Sequence, residues 1–219
     1  MVALFSHATV VIQSVAGPGV DLELATRSIA PTVTVVSAET ASKLHSSTKT
    51  SVTGGPQKLA HYLETRMLTA GRLPTDNLLT KLNAPKRAAV GTTPGKLRLL
   101  FVSERQGLNT PPLSSEDLSD LRIFTKARVV YALTTAKVAG AVAQTNIYDY
   151  RRETASNKHS HFGVPLSCVE IKLKDTPHLK TTDEQTAGEL VVTGSSVVDG
   201  EVHLGVNATI RDDHTLAYV

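Results

Sequence analysis

The chain has 219 residues, enough for one large domain or two small ones, and its 41% hydrophobic content suffices for a real core. Aromatics at 4% and an absence of Trp mean that this core is built from Val, Leu, Ala and Ile. The formal charge of +3, from 23 basic and 20 acidic residues with no Lys/Arg run, argues against nucleic acid as a partner.

In chain order, the β-branched run ATVVIQ (Ala8–Gln13) predicts a buried strand, and Gly17–Gly19 a turn. Asp21–Ala30 predicts a helix with an N-cap Asp and apolar Leu22, Ala25 and Ile29, stopped by Pro31. Thr32–Ser37 predicts a second buried strand, so Ala8–Ser37 has the order of a βαβ unit, which implies a parallel sheet. Helices are expected over Ala38–His45, over Gln57–Ala70 with Leu59, Tyr62, Leu63, Met67 and Leu68 on one side and Gly71 as cap, and over Thr75–Leu82. Lys96–Ser103 predicts a third strand. Ser114–Phe124 carries a Ser-x-x-Asp cap and leads into the short apolar strand Arg128–Leu133.

After about Gln144 the texture changes. Ser167–Lys174 alternates strictly, as a half-exposed antiparallel strand does, and Gly188–Gly194, Glu201–Arg211 and Thr215–Val219 follow, with DDHT as a hairpin turn. The expected class is therefore α/β: a parallel βαβ-type sheet followed by an antiparallel β-rich subdomain. The division falls as 1–144 and 145–219.

Most local candidates for chemistry have a simpler structural reading. Thr50–Lys58 has the hydroxyls, glycines and lysine of a phosphate loop, but a helix and a polar loop precede it where a strand is needed. Gly91–Lys96 precedes its strand and is a turn. The histidines of KHSH (Lys158–His161) lack further zinc ligands at sensible spacing and are expected to be solvated. Cys168 is expected to be a packed small apolar residue. Ser195 and Ser196 lack a nucleophile elbow. Asp212 and Asp213 serve a turn, and Tyr148–Arg152 is a surface loop with one tyrosine packed beneath it.

With one cysteine there is no intrachain disulfide, which fits a reducing, intracellular and cytoplasmic location. No apolar run approaches a membrane span, and the apolar N-terminus lacks the basic region and cleavage site of a signal peptide.

The run from Leu97 to Val219 resembles the adenylate-forming superfamily, the AMP-dependent synthetases and ligases. These include acyl-CoA synthetases, fatty-acyl-AMP ligases, luciferases and peptide-synthetase adenylation domains, and the fungal long-chain acyl-CoA ligase-like proteins are the nearest in flavour. Four motifs occur in family order. Tyr131, Ala132, Leu133, Thr134 and Thr135 match the family's Tyr-Gly-x-Thr-Glu strand end; Gly163, Val164 and Pro165 match its Gly-x-Pro. Gly188, Glu189 and Leu190 match its Gly-Glu-Leu, followed by Gly194 and Gly200, and Ser103 and Glu104 stand at its adenine loop.

The resemblance implies part of an adenylate-forming N-terminal domain and an ancestral reaction of ATP-dependent acyl adenylation. In that reaction magnesium, a phosphate loop and a lysine offset the charge that develops at phosphorus. It implies ATP or AMP at Ser103, Glu104, Tyr131–Thr135, Gly205 and Val206, with Tyr131 as a stacking platform for adenine. Acyl substrate and CoA are the implied partners of a full-length relative. Two departures weaken nucleotide and magnesium binding: Thr135 replaces the turn Glu, and Val206 stands at the ribose Asp. The family's phosphate loop would precede ATVVI and its lysine-bearing domain would follow Val219. A degenerate or partial ligase, inactive as this chain alone, is the favoured expectation, with a non-catalytic interaction module as the alternative. Self-association through an exposed sheet surface is expected in either case.

Overall fold

The computed structural model describes residues 8–12, 19–75, 88–93, 95–106, 111–152 and 159–219. Among these residues the chain forms two sheets. The first has five strands in the order β1 (Val33–Ser37), β2 (Leu99–Arg105), β3 (Arg128–Thr134), β4 (Ala141–Gln144) and β5 (Val164–Pro165). The first three are parallel, and β4 and β5 fold back antiparallel. The second is an antiparallel meander of β6 (Glu170–Lys174), β7 (Ala187–Thr193), β8 (Glu201–Ile210) and β9 (Leu216–Tyr218). The mixed α/β class and the parallel-then-antiparallel order thus match the expectation. The first sheet takes β5 from beyond Gln144, so residues on both sides of that point share it.

Among the described residues, four helices accompany the sheets: α1 (Leu22–Ala25), α2 (Ala38–Lys49), α3 (Gly55–Thr69) and α4 (Ser115–Thr125). Asp21, Ser37 and Ser114 each cap the helix that follows them, and Ser114 with Asp117 forms a capping box. α2 and α4 pack on each other, α2 on β1 and β2, and α4 on β3. β3 is the central strand, and Val129–Leu133 are all buried, as a continuous apolar run between two neighbours requires. One apolar cluster runs from Leu100 and Leu121 through Tyr131 and Phe162 to Leu190 and Leu216, so the two sheets share a core.

Several expectations are corrected. Residues 8–12 form no strand: they are irregular and exposed, Val10 at 52% and Ile12 at 88%. β-branched composition makes a strand only where a neighbour receives its hydrogen bonds, so the parallel pairing begins at β1 instead. The helix after Asp21 is a single turn, Leu22–Ala25, and the Thr26 hydroxyl that follows it bonds back to the Leu22 carbonyl at 2.8 Å. The helix expected at Thr75–Leu82 lies outside the described residues beyond Thr75. Cys168 is exposed and precedes β6 rather than packing on it.

The largest correction concerns α3. Its buried residues are Ala60, Glu64 and Leu68, whereas Leu59, Tyr62 and Leu63 face outward. Polar pairs hold its inner face: Glu64 with Lys126, and His61 Nε2 with Asp120 Oδ1 at 2.9 Å. Asp120 also meets His45 Nε2 at 3.0 Å, so one buried carboxylate ties α2 and α3 to α4.

Candidate functional site

The carboxyl ends of β2 and β3, where open α/β sheets bind ligands, carry most of the residues singled out by sequence. Parallel register sets Ser103 beside Ala132 and Glu104 beside Leu133. The Thr134 hydroxyl donates to the Glu104 carbonyl at 3.0 Å, which leaves the Ser103 hydroxyl to donate to Thr134 Oγ1 at 2.7 Å. Beneath them the Tyr131 hydroxyl donates to Glu104 Oε2 at 2.6 Å and accepts from the Leu113 amide at 3.1 Å.

Burial raises the Glu104 carboxyl above its ordinary range; the Tyr131 hydroxyl opposes that shift and the nearby Glu39 adds to it. Burial, with the Glu104 charge and hydrogen bond behind it, pushes the Tyr131 phenol well above its usual value. The Tyr131 ring is fully buried, with its centroid 4.9 Å from that of Phe162. Its aromatic face is thus occupied by the core and is not offered to a base.

The turn reaches the second sheet through a residue that sequence reading passed over. Gln106 follows β2; its amide donates to the Thr134 carbonyl at 3.0 Å, and its Oε1 lies 3.5 Å from the Thr135 hydroxyl. Its Nε2 donates to the Leu204 carbonyl. That carbonyl is presented by a bulge in β8, where Leu204, Gly205 and Val206 together oppose Leu190 of β7. Gly205 sits there at φ +66°, a conformation that glycine adopts without strain. So Gln106 joins Thr134 and Thr135 to the carbonyl of Leu204, the residue before Gly205 and Val206. Val206 is half-buried against the core, and Ala132 and Leu133 are fully buried within β3. No local pattern marks Gln106, because its partners come from 28 and 98 residues away.

The corner therefore gathers the hydroxyls of Ser103, Thr134 and Thr135, each already turned to an internal acceptor, a glutamine amide, and the exposed Arg105 and Lys137. The set meets anionic oxygens only by exchanging these internal hydrogen bonds. It does not suit a magnesium ion: Thr135 replaces the acid, and Glu104 is buried and committed to Tyr131. No group of three or more His, Cys, Asp or Glu residues among the described ones is arranged to hold a metal. A hollow of about 300 Å³ between Arg98, Arg128 and Ile147 lies at the opposite, amino ends of the strands.

The remaining local motifs are structural. His161 is buried rather than solvated: its Nδ1 accepts from the Gly163 amide at 3.0 Å, and its Nε2 lies 3.5 Å from Asp149. This bond supports Gly163 at φ +78°, where a Cβ would stand 2.1 Å from the Gln144 carbonyl oxygen. Asp213 accepts from the amide and hydroxyl of Thr215, as a hairpin turn requires, and Tyr150 is buried while Tyr148 is exposed.

Among solved structures, the chain is similar to the adenylation domain of a carboxylate reductase from Mycobacterium chelonae: 16% identity over 90% of this chain and 27% of that one, with a TM-score of 0.52. Two others overlap less closely. One is the A domain of a carboxylic acid reductase from Segniliparus rugosus in complex with AMP and a co-purified carboxylic acid, at 14% identity, 91% and 28% coverage and TM-score 0.49. The other is O-succinylbenzoate coenzyme A synthetase from Bacillus subtilis in complex with AMP, at 13% identity, 86% and 31% coverage and TM-score 0.48. No family model and no curated protein matches the sequence. The chain has the fold of part of an adenylate-forming domain and spans less than a third of the length of these proteins. No helix among the described residues is long and apolar enough to cross a membrane.

Proposed function

We propose that the chain is a section of an AMP-dependent synthetase/ligase domain, akin to acyl-CoA synthetases and nearest to the fungal long-chain acyl-CoA ligase-like proteins. Its ancestral reaction is ATP-dependent acyl adenylation, which these 219 residues do not catalyse alone. In that sense it is a pseudoenzyme fragment, with fatty acid and CoA as the substrates of a full-length relative and the cytoplasm as its setting. The observation that carries the reading is the corner at Thr134 and Thr135. Its place at the strand ends and its bridge through Gln106 to the Gly205 bulge suit a nucleotide, while the acid that would hold magnesium is a threonine. A nucleotide would set its phosphates at Ser103, Thr134 and Thr135, whose hydroxyls would exchange their internal hydrogen bonds for phosphate oxygens, with Gly205 and Val206 opposite. Acyl-dependent pyrophosphate exchange, assayed over a series of fatty acids, tests this; the expected rate is indistinguishable from blank, and exchange by the unmodified chain overturns the inactivity.

On β1, the outermost strand of the first sheet among the described residues, the exposed Val33 and Val35 support a second proposal, that isolated chains associate through this surface.

A further inference from the structure

We propose that the outer face of α3 is a peripheral docking surface for an anionic lipid bilayer. The helix is amphipathic with its apolar stripe turned to solvent. Leu59, Tyr62, Leu63 and Arg66 fall at i, i+3, i+4 and i+7, on one side of a helix of 3.6 residues per turn. Leu59 is 60% exposed, Tyr62 56% and Leu63 40%. The opposite side is anchored by Leu68, the buried Glu64 paired with Lys126, and the His61–Asp120 contact. These pairs fix α3 without using its stripe, so the stripe is available with no part of the core unpacked.

Charge decides the occupant. Lys58 and Arg66 are exposed on the outer side, and exposed Arg72 follows the helix. The only acid in α3 is Glu64, which is buried and paired. A second copy of this face would set Lys58 and Arg66 against their own like, with no acid to meet them. An anionic headgroup layer supplies the missing charge, and the acyl boundary beneath it receives Leu59, Leu63 and the ring of Tyr62. The long Lys and Arg stems lie along the apolar stripe while their heads reach the phosphates.

Co-sedimentation of the full chain with vesicles tests the proposal. Binding is expected to phosphatidylcholine vesicles containing about 30% phosphatidylserine and not to phosphatidylcholine alone, falling several-fold as salt rises from about 0.1 M to about 0.5 M. Leu59→Ser with Leu63→Ser, and separately Lys58→Gln with Arg66→Gln, should each lower the partition coefficient about tenfold or more, with an unchanged circular dichroism spectrum. Leu24→Ser, at an equally exposed leucine elsewhere, should bind as the unmodified chain does. Absence of binding to anionic vesicles overturns the proposal, as does binding that survives both double variants. Dimerisation abolished by the leucine pair, without vesicle binding, assigns the face to protein contact and overturns it too.

Discussion

The Tyr131 hydroxyl and the Glu104 carboxylate form a buried 2.6 Å hydrogen bond that joins the middle strand of the first sheet to its neighbour, directly under the candidate site. Removing the hydroxyl leaves a buried carboxylate without this donor. Tyr131→Phe is therefore expected to lower stability by about 1–3 kcal/mol in urea unfolding at neutral pH.

The same pair sets a pH dependence. The Glu104 carboxyl is raised by burial, and an acid raised on folding contributes stability that is complete below its unfolded value and lost as pH climbs through its folded one. Glu104→Gln keeps an acceptor for Tyr131 and carries no charge. Its unfolding free energy relative to the unmodified chain should therefore rise with pH above about 4, where an unfolded Glu ionises. A difference that stays flat from about pH 4 to pH 8 would show that Glu104 is not charged at a cost in the folded state.

Asp120 behaves in the opposite sense. Burial would raise its carboxyl, but hydrogen bonds from His45 and His61, with the charges of His61 and Lys49, hold it well below the ordinary carboxylate range. That stabilisation is present above the unfolded value near about 4 and is lost as pH falls below it. Acid unfolding should therefore steepen below about pH 4, and Asp120→Ala should remove that slope. At neutral pH the substitution should lower stability by about 3–5 kcal/mol, because it strands two histidines against a buried cavity.

How far the sequence speaks for itself depends on the distance between partners. β3 is legible because Val129–Leu133 is an unbroken apolar run, and α4 because Ser114 and Asp117 cap it locally. β4 and β5, of four and two residues, are too short for any periodic signal. The orientation of α3 is illegible for a different reason. Apolar periodicity points Leu59, Tyr62 and Leu63 inward, and what turns them out is the pairing of Glu64 with Lys126 and of His61 with Asp120, partners 62 and 59 residues away. At the candidate site the turn Tyr131–Thr135 is legible from its motif. The bridge through Gln106 and the burial of the Tyr131 ring are not, because both are set by residues from other strands.

Gly163 is required by contact as well as by conformation. A Cβ there meets the Gln144 carbonyl oxygen at 2.1 Å on a backbone already at φ +78°. Gly163→Ala should pry β5 from β4 and lower the thermal midpoint by several degrees, the effect of about 1–3 kcal/mol in a domain of this size. An unchanged midpoint in differential scanning calorimetry would contradict this contact.

The β1 edge offers a direct test of association. Val33–Ser37 carries no charge, and Val35 is 69% exposed on the outermost strand of its sheet among the described residues. Sedimentation velocity should show concentration-dependent association of the unmodified chain. Val35→Lys, which adds a charge to the exposed face without touching the core, should shift the distribution toward monomer. A monodisperse monomer at all concentrations would show that the surface is tolerated bare.

Nucleotide affinity follows from what the corner offers and what it withholds. The hydroxyls of Ser103, Thr134 and Thr135 are turned to internal acceptors, so phosphate oxygens would have to displace those bonds. No acid stands at Thr135 or at Val206, and each charge-assisted hydrogen bond contributes about 1.5–3 kcal/mol. Two of them amount to roughly two to four decades in affinity. Stacking on Tyr131 is also withheld, since its ring is fully buried against Phe162. Mg-ATP is therefore expected to bind more weakly than about 1 mM in calorimetry. Thr135→Glu with Val206→Asp should not restore exchange activity. Thr135 is only 9% exposed and faces Gln106, so a glutamate there enters a crowded, half-satisfied site. The polar stretch Thr50–Lys58 runs from the end of α2 into the first turn of α3, not behind a strand, and so lacks the strand that presents the amides of a phosphate loop. Micromolar binding by the unmodified chain would place the nucleotide on other residues, and activity restored by the two acids would show that the corner lacks only its charges.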